Sequence, residues 1–148
     1  MEFWHNTTFW AAFFSWTIAQ VTKMIIEVVQ TRRLNFGCLV RNGGMPSAHS
    51  AMAGGLATSA GIEAGFGSPL FAVACAFAGV VMFDASTVRR AAGMQAILLN
   101  EMIDAAFREH RFADQKLVEI LGHTRLEVIM GMALGIVTAL GIQSWMGF

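Results

Sequence analysis

Three stretches of the chain bring together residue types that can hold an oxyanion and move a proton. The first is Gly43-Gly44-Met45-Pro46-Ser47-Ala48-His49-Ser50. Two glycines permit a tight loop, Pro46 ends an extended segment, and Ser47 is a natural N-cap for a helix beginning there. The unpaired N–H groups of such a helix start form an anion site. His49, in its first turn, could give a proton to a leaving oxygen. The plain reading is a turn and a cap, with His49 an interfacial polar residue. The second stretch is Asp84 followed by Arg89, Arg90, Gly93 and Gln95. Adjacent arginines at a membrane face can contact lipid headgroups, or clamp a phosphate, whose oxygens match the guanidinium fork. Asp84 is then a cap or an arginine partner.

The third stretch is Gly122-His123-Thr124-Arg125-Leu126-Glu127. His123 and Glu127, four apart, can share a helix face on which the carboxylate orients the imidazole. A competing reading is a capping box, Thr124-x-x-Glu127, which spends Glu127 on the backbone. Lys23 is a further candidate, flanked at helical spacing by Gln20 and Glu27 within an apolar run. It either snorkels to the interface or marks a site, as intramembrane ionisable groups do by default. His5 and His110 have no such surroundings.

The elements that must position these residues are helices in a bilayer. Residues 9–29 are apolar over roughly 31 Å of helix, matching a hydrocarbon core of about 30 Å. Residues 47–62 are rich in Ala, Gly and Ser, too weakly apolar to span alone but suited to burial among other helices. Residues 69–83 are short and densely apolar, with Ser68 and Pro69 as cap and first helical residue. Residues 126–148 close the chain, and Gly131-x-x-x-Gly135 is a helix-packing spacing. The polar segment 84–125 contains an amphipathic helix, with Met94, Ile97, Leu98 and Met102 opposite Gln95 and Asn100. A second short helix is expected near 115–121. The fold class is all-α: one integral membrane bundle of about four spanning helices plus an amphipathic cytoplasmic helix.

Basic residues fix the expected orientation. Arg32, Arg33 and Arg41 lie between spans one and two. Arg89, Arg90, Arg108, Arg111, Lys116 and Arg125 lie between spans three and four. The N-terminal tail and the 61–68 connection carry no Lys or Arg. The positive-inside rule makes the basic, polar side cytoplasmic and puts both termini opposite. It also gathers Lys23, His49, Arg89, Arg90 and His123 at one face.

Composition agrees: of 148 residues 55% are apolar and only 14% charged, where soluble domains carry about 25% charged residues. Ten basic against ten acidic residues give no net charge, so no basic field argues for nucleic acid. Cys38 and Cys75 stand in unlike settings, so no disulfide is expected, and no spacing of Cys or His suggests a metal site. No Lys or Arg precedes Lys23, so the first apolar segment is expected to stay as an anchor rather than serve as a cleaved leader.

The three stretches in order, Gly43–Ser50, Asp84-x4-Arg89-Arg90-x2-Gly93-x-Gln95-Ala96 and Leu121-Gly122-His123-Thr124-x2-Glu127-Val128, resemble the divergent phosphatidic-acid-phosphatase family. That family is described as acid phosphatase/vanadium-dependent haloperoxidase-related, and the resemblance covers nearly the whole chain. The larger superfamily includes metal-free phosphatases with a histidine nucleophile, oriented by a carboxylate four residues on and aided by a second histidine that protonates the leaving group. The resemblance therefore implies catalytic roles for His49, His123 and Glu127, with Lys23, Ser47, Arg89 and Arg90 holding phosphate. The two histidines could also exchange roles.

Departures from the superfamily pattern are Ala48 where Gly is usual, Glu127 for Asp, a longer Lys23-to-Arg32 spacing, and no Ser-Arg pair shortly before His123. The expected activity is a cofactor-free, membrane-embedded hydrolysis of a lipid phosphate or polyprenyl diphosphate. The alternative is a non-catalytic phosphate or lipid-headgroup binder that has lost the catalytic geometry. A scaffold or homo-oligomer acting through its Gly131/Gly135 surface is a third expectation.

Overall fold

The computed structural model describes residues 2–33, 37, 43–106, 117 and 122–146. The expected short helix near 115–121, together with Cys38, Arg41, Arg108, His110, Arg111 and Lys116, falls outside the residues described. After a 3-10 turn at Glu2–His5 come five α-helices, and no strand occurs among the described residues. They are α1 (Thr7–Thr31), α2 (Ala48–Ala64), α3 (Pro69–Phe83), α4 (Arg89–Ala106) and α5 (Arg125–Met146). Three stretches are long and apolar enough to cross a membrane: Thr7–Thr31, Pro69–Ile103 and Arg125–Trp145. The fold is thus an all-helical membrane bundle.

Local signals start the helices where the sequence places them. Ser47 caps α2 by accepting from Ser50 N–H, and Ser68 caps α3 by accepting from Phe71 N–H with Pro69 next. The third span, however, does not stop at Asp84. A π turn over Asp84–Val88 carries α3 directly into α4.

α2 is the axis of the bundle, in contact with α1, α3 and α5. Its Ala, Gly and Ser residues are buried on nearly every side, which is why so weakly apolar a segment can sit at the centre. The helices around it turn small residues inward: Ala11, Ser15 and Ala19 from α1, Ala74 and Ala78 from α3, Gly131, Gly135 and Ala139 from α5. Large apolar side chains such as Phe13, Val73, Phe77, Val80 and Leu140 are exposed on the outside. A water-soluble protein cannot hold so much contiguous apolar surface outward, but in lipid this inside-out arrangement costs nothing.

Close packing explains the glycines. A Cβ on Gly135 would collide with the Ala51 carbonyl oxygen, and one on Gly131 with that of Ser47. The Gly131-x-x-x-Gly135 spacing is therefore used within the chain, to seat α5 on α2. At the far end of the bundle Trp4 stacks on Trp10 at 5.8 Å between centroids, and Trp145 stands exposed nearby in sequence to the close of α5. Aromatic rings of this kind favour the membrane–water interface.

α4 is amphipathic as expected, but its faces are assigned in the reverse sense to a soluble helix. Gly93, Ala96 and Asn100 are buried, while Met94, Ile97, Leu98 and Met102 are exposed. The apolar stripe faces away from the protein, toward where lipid would be. Asn100 uses its side-chain amide like a peptide group: it donates to Leu117 C=O and accepts from Leu117 N–H, both at 3.0 Å.

Candidate active site

The C-terminal part of α1, the starts of α2 and α5, and the π turn meet at one end of the bundle. Between them lies a cavity of about 230 Å³ lined by His49, Val80, Val81, Asp84, Ala85, Arg89, Gly122 and His123. Residues from the three sequence stretches, 74 positions apart from first to last, thus face one space. The volume is below that of a pocket for a drug-sized ligand, so it suits a headgroup rather than a whole amphiphile.

His123 is held from three sides. Its Nδ1 lies 2.9 Å from Glu127 Oε2, and because a carboxylate only accepts, Nδ1 must carry the proton. In the neutral ring Nε2 is then the nitrogen with a lone pair. Its backbone N–H donates to Ala85 C=O at 2.8 Å. That carbonyl is open because of the π turn: Arg89 N–H reaches back five residues to Asp84 C=O instead of four to Ala85. Gly122, at φ +97°, lies so close to the Arg89–Arg90 backbone that a Cβ would come within 2.5 Å of Arg90 N. Only glycine satisfies both conditions there. His123 is 8% exposed.

The two readings of Glu127 both hold. Its Oε2 accepts from Thr124 N–H at 3.2 Å while Thr124 Oγ1 accepts from Glu127 N–H at 3.3 Å, a complete capping box. The same oxygen takes His123 Nδ1–H. One carboxylate therefore fixes the helix start and the imidazole together.

His49 is exposed in the first turn of α2 and within electrostatic reach of Lys23, Asp84, Arg89 and His123. The start of α2 is registered against that of α5 by Ser47 N–H donating to Glu127 C=O at 3.1 Å. This bond, with the close seat of Gly131 on Ser47, holds together the two helix starts whose histidines line the cavity. Lys23 approaches from α1, its Cε 3.1 Å from where a Cβ on Gly44 would stand. Gly44 has φ +91°, so a side chain there would be strained as well as crowded.

Lys23 and Glu127 stand behind the cavity wall rather than in it, and the remaining predicted residues are placed elsewhere. Ser47 is fully buried, its Oγ accepting from Ser50 N–H and Oγ–H, and it does not line the cavity. Arg90 is exposed and outside the cavity wall; its backbone, not its guanidinium, meets Gly122. Arg32 ends α1 in the left-handed region at φ 54° and is exposed. Residues that sequence reasoning passed over are Val80, Val81 and Ala85, which form the apolar wall and supply the docking carbonyl. Their signal was a lack of one, since nothing in an apolar run announces a π turn. Among the described residues no cluster of three or more His, Cys, Asp or Glu could hold a metal ion.

Comparison with known proteins identifies the family. Residues 4–138 match the family described as Divergent PAP2. The chain is 38% identical over 133 residues to a Bacillus subtilis (strain 168) protein, "Uncharacterized membrane protein YuiD", covering 82% of this chain and 84% of that one. No solved structure matches. A family match across most of the chain, together with that relative, carries the apolar bundle from likeness to membership: this is an integral membrane protein of the divergent PAP2 family.

Proposed function

We propose that this protein is a membrane-embedded phosphatase that hydrolyses a lipid phosphate or polyprenyl diphosphate through a phosphohistidine. The observation that carries the reading is the pair of histidines facing one cavity, one of them locked by a carboxylate on Nδ1. His123 Nε2 attacks phosphorus as the bond to the leaving oxygen breaks. Protonated His49 gives that oxygen its proton. His49 then takes a proton from water, which attacks the phosphohistidine, releases inorganic phosphate and restores both imidazoles. Arg89 in the cavity wall and Lys23 beside the His49 loop are the cations that hold the phosphate oxygens.

An amphiphilic substrate follows from the walls. Val80 lines the cavity yet is 68% exposed on the outer, apolar face of α3. Phe77 and Val73 are exposed one and two turns below it on that face. A headgroup in the cavity would leave its tail along this stripe, in lipid. Arg32, Arg33, Arg89, Arg90 and Arg125 lie at the same end of the helices, which by the positive-inside rule supports a cytoplasmic site with both termini opposite.

A second reading, a binder of phosphate headgroups without turnover, is favoured by the lack of a Ser-Arg pair shortly before His123, which leaves Arg89 as the one guanidinium among the described residues lining the cavity. Phosphate release by detergent-purified protein on a panel of lipid phosphates and polyprenyl diphosphates separates the two. Release that is lost in His49→Ala and in His123→Ala supports the phosphatase. A folded wild type that binds phosphate and releases none supports the binder.

A further inference from the structure

Residues five apart on an α-helix lie about 140° apart around its axis and do not meet. Asp84 and Arg89 nevertheless form an ion pair, Nε to Oδ2, at 2.6 Å. They meet because the π turn between them, with its five-residue hydrogen bond, places position 84 beneath position 89. Both side chains line the cavity. Their side chains remain 39% and 46% exposed, and an ion pair that exposed adds little to stability. A rare backbone turn is thus spent on a contact of small structural value beside two histidines. The placement is also costly for an anion site, since it sets a carboxylate where a phosphate would bind.

We propose that Asp84 is a positioning residue for Arg89. Its carboxylate holds the guanidinium through Nε, the one nitrogen not needed for a bidentate phosphate contact. The Nη1 and Nη2 groups, which match two phosphate oxygens, have no other partner among the described residues. The gain is preorganisation: a flexible arginine would otherwise be ordered only as the anion binds. The same turn releases the Ala85 carbonyl to dock His123, so one backbone irregularity sets both the cation and the second histidine. This inference rests on the phosphate-site reading above but not on turnover.

The test is calorimetric binding of inorganic phosphate to the full chain in detergent, which needs no catalysis. Simple electrostatics says that removing a carboxylate beside an anion tightens binding. The positioning role predicts the reverse: Asp84→Ala binds phosphate about tenfold more weakly, the scale of one charge-assisted hydrogen bond. Asp84→Asn, whose Oδ1 still accepts from Nε–H, stays within about threefold of wild type. In an Arg89→Ala background Asp84→Ala causes no further loss, as expected of a residue acting through Arg89. Equal or tighter binding by Asp84→Ala overturns the proposal, as does an equal loss with Arg89 already removed. Absence of phosphate binding by wild type overturns it together with the phosphate-site reading, whereas binding without hydrolysis removes only the catalytic part of that reading.

Discussion

At the scale of single residues, Glu127 makes the most specific claim. One of its oxygens serves both the Thr124 cap and His123 Nδ1, and the two services can be separated by chemistry. Glu127→Gln keeps a carbonyl oxygen to accept from Thr124 N–H but loses the charge that stabilises an imidazolium. Turnover is expected to fall about 100-fold or more, while stability in the same detergent changes by less than about 1 kcal/mol. A fall in melting temperature large enough to explain the lost rate would instead assign Glu127 to the cap alone. The histidines were legible because of their neighbours: a helix-start motif around His49 and a carboxylate four residues beyond His123. Ser47 and Arg90 look equivalent to their cavity-lining neighbours His49 and Arg89 in one dimension. Only the packing shows that the first is sealed as a cap and the second lies outside the cavity wall.

At the scale of elements, two close approaches hold the site together, and each predicts a graded response. Gly122→Ala places a Cβ against the Arg89–Arg90 backbone at φ +97°, at a cost of about 1–3 kcal/mol. Because His123 follows directly, phosphatase turnover should fall further than the melting shift accounts for. Gly135→Val must push α5 off the Ala51–Gly55 backbone and should cost at least about 2 kcal/mol. Gly141, with nothing near its missing Cβ, is the control in the same helix. Gly141→Ala should be neutral or stabilising by up to about 1 kcal/mol. Thermal melts of the three variants in one detergent check the order. If Gly135→Val melts with wild type, the α2–α5 seat is wrong. Helix starts were readable from Ser47, Ser68–Pro69 and Thr124 because caps are local chemistry. The π turn was not, since the choice between four- and five-residue hydrogen bonds at Ala85 is decided by the docking of a segment almost forty residues away.

For the whole molecule, the solvent is the organising fact. Alanine, glycine and serine fill the centre while phenylalanine and valine face out, so the usual rules for substitution are exchanged. Ala53→Leu, at a fully buried position of α2, should overpack the axis and destabilise by about 1–3 kcal/mol, although it makes the chain more apolar. Val73→Leu, on the lipid face, should be silent, while Val73→Arg should impair insertion at a cost of about 2.5–3.5 kcal/mol. Membrane-fraction yield and melting of the purified variants distinguish these outcomes. Tolerance of Ala53→Leu would contradict a close-packed small-residue axis. The membrane class was open to view in the composition, and α2 betrayed its central place through its small residues. The reversed faces of α4 were not legible, because a helix wheel shows which residues differ but not which side meets lipid.

The most direct measurement is to quench the purified protein during turnover and locate covalent phosphate by mass spectrometry under alkaline conditions, where phosphohistidine survives. The expected result is an acid-labile phosphate on the peptide carrying His123, lowered in His49→Ala, which lacks the proton donor for its formation, and absent from His123→Ala. Phosphate on His49 instead, or released phosphate with no covalent form on either histidine, would contradict the assignment of His123 as the nucleophile.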